Sequence, residues 1–235
     1  MHILVIDGGH VEAEFREKFG PAHAYSFLNP DLAFEESRKE VDQQIQSGAS
    51  VADVVFCFRP LTSQVAGFFG NDKLPIFEEV IHLSLTEMMS YEAGLAPGLR
   101  FGFCGLPTLI NRTLLEVSLY HEADRTKLAE TCAALGTDFR VVADRVGLVT
   151  PRVICQIINE ACFTLQEGTA SMQDIDLGMK LGTSYPRGPF AWANAIGVER
   201  VYAVLEALWH DTHDERYKVC PLLKRQALRG KPFAV

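Results

Sequence analysis

The sequence lacks several features that mark common classes of protein. Its 235 residues carry no excess of basic charge, since 22 Lys and Arg stand against 30 Asp and Glu and the formal net charge is −8. Nucleic acids and anionic membrane surfaces are bound through basic side chains that release counterions, so neither is an expected partner. No apolar run approaches the roughly 20 residues that cross a bilayer. The first residues show no basic segment followed by a long apolar one, so no secretory signal is expected.

Motifs for disulfides and metals are also missing. The six cysteines form no C-x-x-C pair, and most of them lie in apolar segments. We therefore expect reduced, buried thiols, as in a cytoplasmic protein. The polar segment His210–Glu215 contains two histidines that could share a helix face. Spacing supplies no third ligand, so the sequence predicts no metal site.

What the first part of the chain does contain is a set of short apolar runs separated by helix-like segments. The runs predict strands near residues 3–6, 24–28, 53–58, 81–85, 100–104 and 140–142. Val11–Phe19 and Leu32–Gln46 have helical spacing, and Gly48 is expected to stop the second helix. Strands that alternate with helices predict a parallel sheet with helices on its faces. We assign this α/β domain to residues 1–145.

The rest of the chain, residues 146–235, is helical in pattern throughout. Thr150 and Pro151 are typical of the N-cap and first position of a helix. Ser171 and Asp174 resemble a capping box at the start of the next helix, which Gly182 ends. The apolar stripes are long for a unit of about 90 residues, so we expect them to pack on each other and on a second copy of the chain.

Within this helical part the sequence resembles the 3-hydroxyacyl-CoA dehydrogenase family. The likeness runs from Val146 to Ser171 and is strongest in Asp174–Gly182 and in Tyr185–Phe190, with a G-x-x-x-P-x-G-P-F run between two helices. The resemblance implies an α/β fold: a truncated Rossmann-like parallel sheet domain followed by an all-helical dimerisation domain. In the run itself, Gly182 is expected to be a left-handed C-cap and Gly188 to allow two helix ends to approach closely.

The turn Asp7-Gly8-Gly9 is where the resemblance implies that NAD binds. A dinucleotide fingerprint needs three small residues, and with the first on Gly8 the others fall on His10 and Ala13. The side chain of His10 is bulky where a phosphate should touch the backbone. The family's acidic residue for the ribose hydroxyls falls on Asn29, which is neutral. The cofactor-binding candidates are thus Gly8, Gly9, His10 and Asn29; the resemblance implies NAD, whereas these residues argue against an intact site.

The resemblance also implies the catalytic positions. A histidine base takes the proton from the 3-hydroxyl group in this family, and a glutamate orients it; these positions fall on Cys104 and Glu116. A thiol is a poor replacement, because only the thiolate accepts a proton and a neighbouring carboxylate disfavours that charge. A family serine falls on His82, and Ser84 lies close behind, so both are further candidates. A family asparagine falls on Pro151.

Two functions are compatible with these residues. The first is an oxidoreductase of fatty acid metabolism that acts on a 3-hydroxyacyl-CoA or a related hydroxy acid, with its activity impaired or lost. The second is a non-catalytic homodimeric relative that binds an acyl-CoA-like ligand or a protein partner in the cleft between its domains. Turnover with NADH favours the first function, and binding of a CoA thioester without any response to NADH favours the second.

Overall fold

A computed structural model describes residues 1–29, 35–59, 73–91 and 98–235 of the chain. The chain divides into two compact units. The first consists of Met1–Gly105 and Leu109–Leu148, and the second consists of Leu106–Thr108 and Val149–Val235. None of the helices in the described ranges is long and apolar enough to cross a membrane.

The first unit is built on a sheet whose order, within the described ranges, is β2-β1-β3-β4-β5-β6-β7. Strands β1 to β5 are parallel, β6 runs antiparallel to β5, and β7 is parallel to β6. The strands are β1 (His2–Ile6), β2 (Ala24–Leu28), β3 (Val54–Cys57), β4 (Pro75–Glu79), β5 (Leu99–Phe103), β6 (Leu114–Leu119) and β7 (Asp138–Val141). The predicted Rossmann-like, mostly parallel sheet is therefore confirmed.

Helices cover both faces of this sheet: α1 (Glu12–Phe19), α2 (Glu35–Val51), α3 (Leu85–Tyr91) and α4 (Arg125–Leu135). On one face, Phe15 of α1 packs with Phe56 and Phe103 in a continuous apolar cluster. On the other face, Ile45 of α2 packs against a cluster that includes Leu4. Burial on both faces explains why β1 and β3 read as unbroken apolar runs rather than as alternating ones.

One predicted strand and one predicted helix end in this unit are wrong. Residues 81–85 do not form a strand, because β4 lies earlier, at Pro75–Glu79, and Leu85 begins α3. Helix α2 does not stop at Gly48 but continues to Val51, and the start predicted at Leu32 lies outside the described residues. A Cβ at Gly48 would lie 3.1 Å from Cδ1 of Leu4, so this glycine serves close helix–sheet packing rather than helix termination.

The strand order has a reversal that fixes where a ligand would bind. From β1 the chain passes first to β2 on one side and then to β3 on the other. Dinucleotide-binding sheets commonly have the order 3-2-1-4-5-6, with two strands beyond the first. The described part of this sheet has only β2 on that side, as expected of a shortened domain. Ligands of open α/β sheets bind outside the carboxyl ends of the strands at such a reversal, which here means after Ile6 and after Cys57.

The second unit is all-helical in structure, as predicted. Its helices are α5 (Thr150–Gln166), α6 (Met172–Gly182), α7 (Pro189–Ile196), α8 (Val198–Thr212) and α9 (Pro221–Leu228). Thr150 is already inside α5, and Val149 occupies the N-cap position. The amide of buried Asn159 donates to Lys218 O at 3.0 Å and accepts from Cys220 N at 2.8 Å, which holds the start of α9 against α5.

The connection from α6 to α7 shows how the G-x-x-x-P-x-G-P-F run works. Ser171 caps α6 by accepting from Asp174 N at 3.2 Å, as predicted. The left-handed cap predicted at Gly182 is wrong, because the positive φ of 57° belongs to Ser184. Gly188 does permit a close approach, although it brings the start of α7 against the interior of α6 rather than joining two helix ends, since a Cβ there would lie 2.6 Å from Cα of Asp176.

Candidate functional site

The turn after β1 has the strand–turn–helix shape of a nucleotide-binding loop. Asp7 takes a positive φ of 60° and its amide donates to Leu28 O at 2.7 Å. Gly8 is the N-cap of a short 3₁₀ turn, Gly9–Val11, that leads into α1. The Gly9 amide donates to Oδ1 of Asn29 at 2.8 Å. The structure therefore brings Asn29, which follows β2, against the glycine turn that contains the other cofactor-binding candidates.

Phe58, which the sequence interpretation missed, lies against the same turn. It directly follows β3, and its amide donates to Ile6 O at 3.0 Å, so its backbone runs beside the end of β1. Its ring atom Cε2 lies 2.7 Å from the position that a Cβ on Gly8 would take. The ring is only 7% exposed and meets the ring of His10 edge-on at 5.5 Å. The only hint in the sequence was an aromatic residue at the end of a buried strand, which is usually a core position.

These residues do not fit NAD in the way the fold family binds it. A pyrophosphate needs bare backbone at the second glycine position and amide groups that are free to donate. Here the Gly9 amide already donates to Asn29, and the Phe58 ring lies over Gly8. The depression around His10 and the first turn of α1 contains Arg16, which is ion-paired with Glu12 at 2.8 Å, and the carboxylate of Glu14, which competes with a phosphate for the helix N-terminus.

The positions of the family's base and its partner are Cys104, which directly follows β5, and Glu116, which lies in the neighbouring β6. Phe103 at the end of β5 pairs with Val117 of antiparallel β6, so Cys104 and Glu116 are the next residues along the two chains. Both side chains are buried, with 3% and 7% exposure. Nη2 of Arg112 lies 3.5 Å from Oε1 of Glu116 and forms an ion pair with it. The glutamate thus has a cationic partner in the segment that connects β5 to β6, while the position of the family's base holds a buried thiol.

Ser84 and His82 lie in the segment between β4 and α3. Oγ of Ser84 accepts from Glu87 N at 3.1 Å, so this hydroxyl caps α3. Asp144 completes the cap by accepting from Leu85 N and Thr86 N, both at 2.8 Å. The side chain of His82 is exposed. Ser84 therefore has a structural task at the start of a helix, and the sequence signal for it was the Ser-x-x-Glu spacing of a capping box.

No three His, Cys, Asp or Glu side chains among the described residues are arranged to hold a metal ion. In the segment His210–Glu215, His213 takes a left-handed backbone conformation at the end of α8, and its Nδ1 lies 3.1 Å from Trp209 O. This histidine thus makes a local contact with its own helix.

Comparison with known proteins identifies the second unit. Residues 147–232 match the sequence profile of the 3-hydroxyacyl-CoA dehydrogenase C-terminal domain. This part of the chain is therefore similar to the C-terminal domain of 3-hydroxyacyl-CoA dehydrogenases. The family resemblance stated from the G-x-x-x-P-x-G-P-F run is therefore confirmed.

Curated relatives match less than half of this chain. The chain is 47% identical over 87 residues to a 3-hydroxyadipyl-CoA dehydrogenase of Escherichia coli, which covers 37% of this chain and 18% of that protein. It is 35% identical over 101 residues to a 3-hydroxybutyryl-CoA dehydrogenase of Bradyrhizobium diazoefficiens, covering 43% of this chain and 34% of that protein. The matches thus span about a third or less of these relatives' length.

Solved structures match over almost the whole chain, at low identity. M. tuberculosis FadB2 superimposes with a TM-score of 0.75 and 15% identity, covering 99% of this chain and 95% of that one. The (S)-3-hydroxybutyryl-CoA dehydrogenase PaaH1 from Ralstonia eutropha gives a TM-score of 0.71 and 20% identity, covering 97% and 94%. At this identity the likeness establishes the fold and not the activity.

Proposed function

We propose that this chain is a non-catalytic member of the 3-hydroxyacyl-CoA dehydrogenase family that binds an acyl-CoA-like ligand and forms a homodimer. The observation that carries the proposal is the pair of residues Cys104, directly after β5, and Glu116, on the neighbouring β6. The residue beside Glu116 is a buried cysteine rather than a histidine, and Glu116 itself is ion-paired with Arg112. The relatives described above are named as dehydrogenases of hydroxyacyl-CoA compounds, which supports the ligand class.

The chemical argument concerns the proton of the hydroxyl group. Removing it requires an acceptor with a pKa near the working pH, and such a general base typically contributes about 10²- to 10⁴-fold to a rate. The Cys104 thiol would have to ionise first, and burial at 3% exposure disfavours the thiolate. Arg112 forms an ion pair with Glu116, so the carboxylate has a cationic partner. The site therefore keeps the orienting residue of the family without the base that it orients.

The proposed homodimer rests on the surface of α6. None of the residues of this helix is buried in the isolated chain. Leu177 is 54% exposed and Leu181 is 73% exposed. Two large apolar side chains one turn apart on an exposed helix are typical of an interface, since a lone chain gains nothing by leaving them in water.

An activity assay tests the proposal. The wild-type protein should not oxidise NADH in the presence of acetoacetyl-CoA above the rate of a protein-free control. The variant Cys104→His restores an imidazole beside Glu116. Its rate of NADH oxidation is compared with that of Cys104→Ser, which replaces the thiol without adding a base. Steady turnover by the wild-type protein, abolished in Glu116→Gln, would instead support the dehydrogenase reading, for which the retained Glu116 is the favouring observation.

Ligand binding and assembly need separate measurements. A CoA thioester should raise the melting temperature of the wild-type protein by mass action on the folded state. Light scattering at dilute concentration should give twice the mass of the chain, and Leu181→Glu should give a monomer, because it places a charge in the proposed interface. Glu160→Gln, at an exposed position of α5, is the control. A wild-type monomer contradicts the proposed assembly.

A further inference from the structure

The space around Gly8 is the part of a nucleotide-binding domain where bulk matters most. A pyrophosphate approaches the backbone of the loop after the first strand, and it does so at the point where the strand order reverses. In this chain that point lies between the ends of β1 and β3, after Ile6 and Cys57. Whatever side chain follows Cys57 therefore decides whether the loop is open.

The side chain that follows is Phe58, and its ring fits between two glycines. On one edge, Cε2 and Cδ2 lie 2.7 and 2.8 Å from the Cβ position of Gly8. On the opposite edge, Cδ1 lies 2.7 Å from the Cβ position of Gly105, directly after Cys104. Because any side chain at either glycine would overlap the ring, the two glycines make room for Phe58. The edge-to-face contact with Phe103, at 5.2 Å between ring centroids, fixes the ring further.

Asn29 fills the neighbouring position. Its Oδ1 accepts from the Gly9 amide at 2.8 Å, and its side-chain nitrogen lies 2.6 Å from the Cβ position of Gly9. The amide that would otherwise donate to a phosphate oxygen already has a protein acceptor, held at hydrogen-bond length. A ligand would have to displace this acceptor as well as the aromatic ring.

We infer that the nucleotide cradle of this domain is filled by the chain's own side chains, with Phe58 in the space of the pyrophosphate and Asn29 as the acceptor for the loop amide. The inference uses the family assignment on which the proposed function rests, but it concerns cofactor binding and not the missing base. It makes Phe58 a residue that decides specificity: Gly8 accommodates its ring beside Cγ1 of Val5, Gly9 accommodates Asn29, and the site excludes dinucleotides.

Fluorescence titration with NADH tests this directly. The wild-type protein should show no saturable change, whereas Phe58→Ala should bind NADH at least about tenfold more tightly than wild type. The double variant Phe58→Ala, Asn29→Ala should bind more tightly again, because the Gly9 amide becomes available. Phe139→Ala is the matched control, since it removes a partly buried phenylalanine from β7, well away from Gly8 in the sheet order. ADP-ribose, which retains the pyrophosphate and lacks the nicotinamide, should compete with NADH in the variants.

Other outcomes decide against the inference. Saturable NADH binding by wild type that equals that of Phe58→Ala overturns it, as does a folded Phe58→Ala that gains no binding unless His10→Gly is added. If Phe58→Ala does not fold, the NADH titration is repeated with Phe58→Leu, and amide hydrogen exchange is measured at Gly9. The Gly9 amide should be protected in wild type and lose protection in Asn29→Ala, and an equal exchange rate in both contradicts the structure. NADH binding without turnover in Phe58→Ala leaves the proposed function intact, whereas turnover by the wild-type protein removes it.

Discussion

Asp176 offers the sharpest test of how the helical unit is held together. Its carboxylate accepts from Phe190 N at 2.7 Å and from Ala191 N at 2.9 Å, at the start of α7. The N-cap of α7 is Gly188, which has no side chain to accept these bonds, so Asp176 of α6 takes over the cap from a different helix. Loss of an ordinary N-cap side chain costs about 1 kcal/mol. Asp176→Ala leaves two amides without their charged acceptor beside the fully buried Phe190, so we expect about 2–3 kcal/mol.

The two tryptophans make this measurable in the intact chain. Trp192 and Trp209 both lie in the helical unit, in α7 and α8. Tryptophan emission during urea unfolding therefore follows the unfolding of this unit. Asp176→Asn retains the shape and one neutral acceptor, and should cost about 1 kcal/mol. Glu160→Ala removes an exposed carboxylate from α5 and should stay within about 0.5 kcal/mol of wild type. An Asp176→Ala variant as stable as Glu160→Ala would refute the tertiary cap.

Three further outcomes follow from buried groups. Asn159→Ala should lower the unfolding free energy by about 2–3 kcal/mol in the same tryptophan assay, because it leaves the buried N–H of Cys220 without its acceptor. A loss below about 1 kcal/mol contradicts this. Burial raises the pKa of the Cys132 thiol to about 12. The stabilising contribution of this thiol to the unfolding free energy should therefore be complete below about pH 8.5 and lost as the pH rises toward 12. In Cys132→Ala this alkaline loss of unfolding free energy should be smaller, and a pH profile equal to that of wild type contradicts the assignment. Burial, and then the Arg112 guanidinium, lower the pKa of Lys18 below the usual lysine range. Competitive acetylation followed by mass spectrometry should therefore give Lys18 an apparent pKa below that of a free lysine side chain, and an ordinary lysine value would be the contrary result.

The fold was predictable wherever the sequence pattern reflected burial. Unbroken apolar runs predicted β1 and β3 because those strands are covered on both faces. The pattern was wrong at residues 81–85, where Ser84 and Asp144 cap a helix from positions far apart in sequence. It did not identify β6, because Glu116 and Ser118 interrupt the apolar run with polar side chains that are nevertheless buried.

For the candidate site, the sequence indicated which positions correspond to the family's catalytic residues, but not which other side chains surround them. Resemblance located Cys104 and Glu116, and the β5–β6 register then placed them side by side. Neither Arg112 nor Phe58 was identified, because the first acts through an ion pair and the second through contacts with Gly8 and Gly105 across the sheet. Contacts between residues distant in sequence leave no periodic signal, so the occupation of the nucleotide loop emerged only from the structure.

We propose that this chain retains the fold of a hydroxyacyl-CoA dehydrogenase without its hydride chemistry. A single-turnover experiment tests it most directly: wild-type protein in excess over NADH is mixed with acetoacetyl-CoA, and NADH absorbance is followed. We predict a decay no faster than that without protein, at every protein concentration. A first-order decay whose rate rises with protein concentration and disappears in Glu116→Gln would contradict the account.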